Sequence, residues 1–321
     1  LRQAAAKGSL ATGEGLRAEA RRMVADPRAA AKFQEFLLTW LRVDAVPELA
    51  KDAKAFPGSD GAVATDLRAS LEWFLADAWG ASGADFRRLL LSDTVYVNGR
   101  LAPFYGVVLP KDAPFAPVAL DPGRRAGVLS QPYVLAAFAY PTGSSPIHRG
   151  VLVVRGILGR TLAPPPVAVA PAAASLHPGL TTRERVALQT RPAACVSCHG
   201  TINALGFALE HFDAIGRWRE TDQAKPVDAT GSFRAPDGRV VRFDGARALA
   251  EALVRADETA PAFAAKCFQH LVKQPLRAWG PAARADLANK FVAAQYDMRT
   301  LAAEAAVLAA TPPAPPRTTL R

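Results

Sequence analysis

The chain has 321 residues, long enough to bury about three quarters of its unfolded surface without disulfide or metal staples. Half of the residues are hydrophobic and 21% are charged, which excludes a wholly disordered chain, and no apolar run is long enough for a multi-span membrane protein. Lys and Arg exceed Asp and Glu by 39 to 29, so the net charge of +10 favours acidic partners, but the basic residues are scattered and form no recognisable nucleic-acid motif.

The first third reads as helical. Leu16, Ala20, Met23 and Val24 share one helical face; Phe33, Phe36, Leu37, Trp40 and Leu41 share another; Leu67, Leu71, Phe74, Leu75 and Ala78 a third. Asp26-Pro27 and the stretch from Phe56 to Gly61 read as breaks. Ser82 to Asp85 resembles a capping box in front of Phe86, Leu89 and Leu90. Thr94 to Val97 predicts a short strand ending at Asn98-Gly99. The proline-rich stretch that follows is expected to be an ordered crossing loop that buries Phe104, Tyr105 and Phe115. Ser145-Pro146 then opens a predicted helix with Ser as cap and Pro in the first turn, continued by Ile147, Val151, Val154 and Leu158.

Leu162 to Pro178 is rich in proline and alanine, and Pro164-Pro165-Pro166 is expected to be extended. Thr181-Thr182-Arg183-Glu184 is a second capping box, and its helix should end near Arg191-Pro192. Phe243, Ala246, Leu249 and Leu253 indicate a later helix, with more over 261–275 and 282–310. The expected organisation is mainly α: an N-terminal helical domain over 1–162, a connector over 163–180, a segment over 181–240 that carries the chemistry, a C-terminal helical domain over 241–310 and a flexible tail over 311–321. Short strands and long proline-rich loops are minor components. Leu1-Arg2-Gln3 does not read as a natural start, so a processed form or a fragment is expected.

Cys195-Val196-Ser197-Cys198-His199 is the strongest local signal. C-x-x-C-H is the pattern of c-type haem attachment: two thiols three positions apart form thioethers to one haem, and the adjacent His supplies an iron ligand. Two other readings stay open on the motif alone. Zinc could take Cys195 and Cys198 with a distant pair from His211, Cys267 or His270. A redox dithiol could use the same spacing, although it expects a strand before it and a helix is expected there instead. Cys267 reads as a core residue near Phe263 and Leu271. Arg217 and Trp218 are candidates for hydrogen bonds to haem propionates, with an Asp213–Arg217 turn pair as the structural alternative. His211 is the leading candidate for a second iron ligand, followed by His148, Met298, His270 or none. The fingerprints of serine hydrolases, zincins, P-loops and dinucleotide-binding folds are absent.

Thr182 to Arg185, Cys195 to His199 and the run from Leu205 to Arg219 together resemble the planctomycete- and myxobacterium-type cytochrome C family with its associated domains of unknown function. The resemblance extends to Ser145-Pro146-Ile147-His148-Arg149-Gly150, Pro164 to Pro166 and Asp228 to Gly231, and more weakly to the terminal helices. It implies one covalent haem c on Cys195 and Cys198 with His199 as ligand, in a periplasmic or otherwise extracytoplasmic chain, with peripheral membrane association an option and no transmembrane segment. This chain departs from the family in having Gln189 where a His is usual and His211 where an Asn is usual. The expected function is electron transfer with a redox partner protein or another haem-bearing domain. A peroxidase-like oxidoreductase, or a binding module with structural haem or zinc, is the alternative.

Overall fold

The computed structural model describes residues 1–44, 46, 49–80, 83–163 and 177–311. The triple proline at 164–166, Ser82 of the first capping box and the tail from 312 lie outside the described residues. The protein is mainly α, about 54% helical, with short strands. Among the described residues no helix is long and apolar enough to cross a membrane.

Helix α1 (Arg2–Ala6) precedes α2 (Gly13–Val24), whose N-terminal amide of Gly15 donates to the Thr12 side chain at 3.1 Å. The Asp26-Pro27 break separates α2 from α3 (Pro27–Trp40), and Asp60 accepts from the Val63 amide at the start of α4 (Gly61–Trp79). The three expected apolar stripes lie on these helices, except that Leu41 stands just past the end of α3 and Met23 is exposed. The helix expected behind Ser82 begins only after Arg87: α5 (Arg88–Leu91) is a single turn with no side-chain cap. Strand β1 (Thr94–Val97) pairs antiparallel with β2 (Ala116–Ala119), which runs through the prolines and sets Pro117 opposite Tyr96. Phe104, Tyr105 and Phe115 are half-buried rather than fully buried: Phe104 packs against the buried cluster of Phe56, Ala214 and Ile215, and the Tyr105 hydroxyl donates to the Ile215 carbonyl at 2.9 Å.

Next come α6 (Pro132–Ala137), the two-residue strands β3 (Ala139–Tyr140) and β4 (Gly143–Ser144), and α7 (Pro146–Val151). Ser145 caps α7 and Pro146 fills its first turn as expected. The helix does not stay α. Leu152–Ile157 widens into a π turn in which the Trp40 indole donates to the Gly156 carbonyl at 2.9 Å, and its side chains are buried nearly all round. Then follow α8 (Thr182–Gln189), α9 (Ala193–Phe207), the hairpin β5 (Thr221–Asp222) and β6 (Lys225–Pro226), and the hairpin β7 (Thr230–Arg234) and β8 (Val240–Asp244). The chain closes with α10 (Gly245–Arg255), α11 (Thr259–Val272), α12 (Ala283–Ala293) and α13 (Met298–Ala310).

The chain divides into two compact units. One comprises Leu1–Leu37, Ala78–Phe86 and Ala260–Arg321, so it draws on both the N-terminal and the C-terminal segments read from the sequence. Its core stacks Phe33 on Trp79 at 4.2 Å, and Phe263 meets both Phe36 and Phe86. Ala20 of α2 packs with Ala303 and Val307 of α13. The other unit, Leu38–Asp77 and Arg87–Thr259, contains the C-x-x-C-H segment. There α7 crosses α9 with almost no space between backbones. A Cβ on Gly150 would stand 2.0 Å from the Ile202 carbonyl oxygen, and one on Gly206 would stand 1.9 Å from that of Pro146. Strand β7 approaches the other flank of α9, where a Cβ on Gly231 would meet the Ala204 carbonyl at 2.6 Å.

Candidate functional site

The capping box expected at Thr181 is formed in full. The Thr181 hydroxyl accepts from the Glu184 amide at 3.2 Å, and the Glu184 carboxylate accepts from the Thr181 amide at 2.7 Å. Helix α8 ends at Gln189, and Pro192 caps α9. The C-x-x-C-H residues therefore form the first turns of a helix held on both flanks by close backbone packing. A helix stands before the motif and another carries it, rather than the strand-then-helix order of a redox dithiol. Cys195 and Cys198 are free thiols, neither exposed nor fully buried.

His199 is held by a directed chain of hydrogen bonds. The Thr190 hydroxyl donates to the Val186 carbonyl at 2.7 Å, so its oxygen is left to accept from Asn203 Nδ2 at 2.8 Å. That turns Asn203 Oδ1 toward the imidazole, 2.9 Å from His199 Nδ1. An amide oxygen only accepts, so this arrangement calls for a proton on Nδ1, which in the neutral imidazole leaves the lone pair on Nε2.

His199 lines a wide-mouthed cavity of about 580 Å³, within the range of small-molecule and cofactor sites. Val196, Asn203 and Phe207 of α9 line it with Arg183, Arg191 and Arg242, and no carboxylate stands in its wall among the described residues. Arg183 is tied to Asp228 and lies over the Phe207 ring at 4.5 Å. At about 100° per residue, Cys195 and Cys198 stand about 40° and about 100° around α9 from His199, on the side away from the cavity. All three side chains therefore project within about 100° of arc from adjacent turns.

The other expected site residues lie elsewhere. His211 donates from Nδ1 to the Arg219 carbonyl at 2.9 Å and stacks on Trp218 at 4.3 Å with the rings 5° apart. Trp218 donates to Glu220, and Arg124 covers its ring. Arg217 forms the turn pair with Asp213 at 2.7 Å. None of the three lines the cavity beside His199. His148 faces Tyr140, with ring centres 5.2 Å apart. Met298 is fully buried, and the His270 ring lies 5.5 Å from Phe36 and 3.5 Å from Glu35, in the first unit. Cys267 is fully buried, as expected, and burial pushes its thiol pKa up. Among the described residues no three His, Cys, Asp or Glu side chains gather as a metal site requires, so the zinc reading has no assembled ligand set.

The strongest polar cluster escaped the sequence reading. Arg149, 1% exposed, donates to the carbonyls of Leu135, Leu209, Phe212 and Asp213. Glu210 lies 3.6 Å from it and accepts from Ser144 and from Arg219, each at 2.8 Å. This network ties the Ser145–Gly150 segment to the run from Leu205 to Arg219. The two stretches that resembled one family in the sequence are thus physically one piece. The only available signal was their joint occurrence, because a buried arginine has no local spacing.

Residues 1–107 match the family model PSD4, described as a protein of unknown function (DUF1592), and residues 125–222 match PSCyt3, described as a protein of unknown function (DUF1588). Both are known as planctomycete cytochrome C-associated domains, and neither match is to a cytochrome C family itself. No curated protein and no solved structure matches the chain. The second match holds Arg149, the C-x-x-C-H segment, Glu210 and Arg219 together, so the ionic network and the thiol–imidazole helix belong to one family-matched stretch.

Proposed function

We propose that this chain is a monohaem c-type cytochrome-like electron-transfer module in which Cys195 and Cys198 carry the haem and His199 ligates its iron. The observation that carries the reading is His199 itself: its Nδ1 stands 2.9 Å from the Asn203 amide oxygen, and its side chain projects within about 100° of arc of two free thiols. When bound, the haem would supply one reversible electron through its iron. The protein's share is to hold two thioether sulfurs and one imidazole on a helix that cannot shift against α7. Arg191 and Arg242 bring positive charge to the cavity beside His199, which suits a group bearing carboxylates.

Covalent attachment through two thiols implies an extracytoplasmic chain, and electron transfer implies a second redox protein or haem-bearing domain. The net charge of +10 would steer an acidic partner. The test is the intact mass after denaturation, with oxidised and reduced spectra, of chain made in a host that matures cytochromes c. One haem mass per chain is expected, lost in the Cys195→Ala/Cys198→Ala double variant. An unmodified chain from that host, with stoichiometric zinc or a 195–198 disulfide, overturns the reading. Rapid peroxide turnover with poor electron exchange would instead make it a peroxidase-like oxidoreductase.

A further inference from the structure

We infer that Asn203, oriented by Thr190, is a positioning residue that fixes His199 as its Nδ1–H tautomer and so presents Nε2 as the donor atom. What Nε2 then binds rests on the haem reading; the tautomer does not. A free neutral imidazole exchanges between two tautomers, and a ligand His is committed to one by the hydrogen bond its other nitrogen makes. Here the bond comes from a side chain one helical turn along α9, which could rotate or flip if it had no second partner. Thr190 removes that freedom. Its hydroxyl is spent on the Val186 carbonyl, so it offers only an acceptor, and only the NH₂ end of Asn203 can face it. Asn203 and Thr190 are each 8% exposed, so water competes poorly for these bonds. The relay also runs from α8 to α9. The residue just past the end of α8 therefore sets the protonation pattern of an imidazole nine positions later.

The tautomer is read by nitrogen-15 NMR of the full chain prepared without haem, labelled at histidine. The wild type should show His199 protonated at Nδ1. Asn203→Leu should release it to the other tautomer or a mixture, and Asn203→Asp, which keeps an acceptor, should preserve it. Thr190→Val keeps the volume and removes the orienting acceptor, so it should loosen the same preference and serves if Asn203→Leu does not fold. Titration of each chain with ferric haem gives the second readout: about 10- to 100-fold weaker binding for Asn203→Leu and restored binding for Asn203→Asp. An unchanged tautomer in both Asn203→Leu and Thr190→Val overturns the relay. A tautomer that responds as expected, in a chain that never takes haem, upholds the relay and removes the haem reading.

Discussion

Arg149 shows how a single residue can hold the candidate site in place without belonging to it. Its guanidinium donates to four backbone carbonyls, of which Leu209 and Asp213 also accept a backbone N–H, and it faces a carboxylate sunk in the same core. Burial pushes the Arg149 pKa down and the Glu210 pKa up, while the charges of Arg219 and Arg149 oppose the rise at Glu210. Removing the arginine leaves the buried Glu210 with Arg219 as its one close cation and takes a donor from each of the four carbonyls. Arg149→Met should therefore cost about 3–5 kcal/mol, read as a lower urea midpoint. Arg217→Gln breaks a pair whose arginine is 36% exposed, and should cost about 1 kcal/mol or less. Equal losses in the two variants would mean that the buried network does not organise this segment. The sequence pointed to His148, the neighbour with the more versatile chemistry. Burial of an arginine is decided by the loops that fold over it, and no periodicity records that.

At the scale of elements, the helix crossing under the C-x-x-C-H segment depends on two glycines. The Cβ of an alanine at Gly150 or Gly206 would stand about 2 Å from a carbonyl oxygen of the opposite helix, so one backbone must move. Gly150→Ala or Gly206→Ala should destabilise by about 1–3 kcal/mol or more by overpacking. Gly200, on the same helix as Gly206, has nothing within 4 Å of the added methyl, and Gly200→Ala should be stabilising by up to about 1 kcal/mol. The three midpoints measured together separate crossing geometry from helix propensity; a stable Gly206→Ala protein would remove the tight crossing.

Local chemistry made much of this level legible. The Thr181 capping box, the Ser145-Pro146 start and the apolar stripes of α2, α3 and α4 each rest on neighbours within one or two turns. The π turn after Val151 did not show, because apolar spacing alone does not separate a π turn from an α turn, and the contact made there by Trp40 with the Gly156 carbonyl comes from far away in the chain. Nor did the pairing of His199 with Asn203. The i,i+4 spacing was visible, but the motif had to be recognised as the start of a helix before that spacing meant contact.

For the whole molecule, the unit built from both chain ends offers a pH test. Arg17 of α2 donates to Glu304 of α13 at 2.7 Å, and Lys290 of α12 donates to the same carboxylate at 2.7 Å. Burial alone would raise the Glu304 pKa, but the hydrogen bonds from Arg17 and Lys290 and their charges outweigh it, and the pKa lies below the ordinary carboxylate value. A lowered pKa in the folded state stabilises above the unfolded value, and that stability is lost as pH falls through the folded value. Glu304 is 10% exposed while Arg17 and Lys290 are 39% and 48% exposed, so the contribution falls between a surface pair and a buried one, about 1–2 kcal/mol at neutral pH. Glu304→Gln keeps the shape and removes the charge. Its denaturation midpoint should lie below that of the wild type at pH 7 and converge with it as pH falls through the lowered folded value, where both side chains are neutral. A gap that stays constant across that range would show that Glu304 acts through packing, and that charge does not join the beginning of the chain to its end.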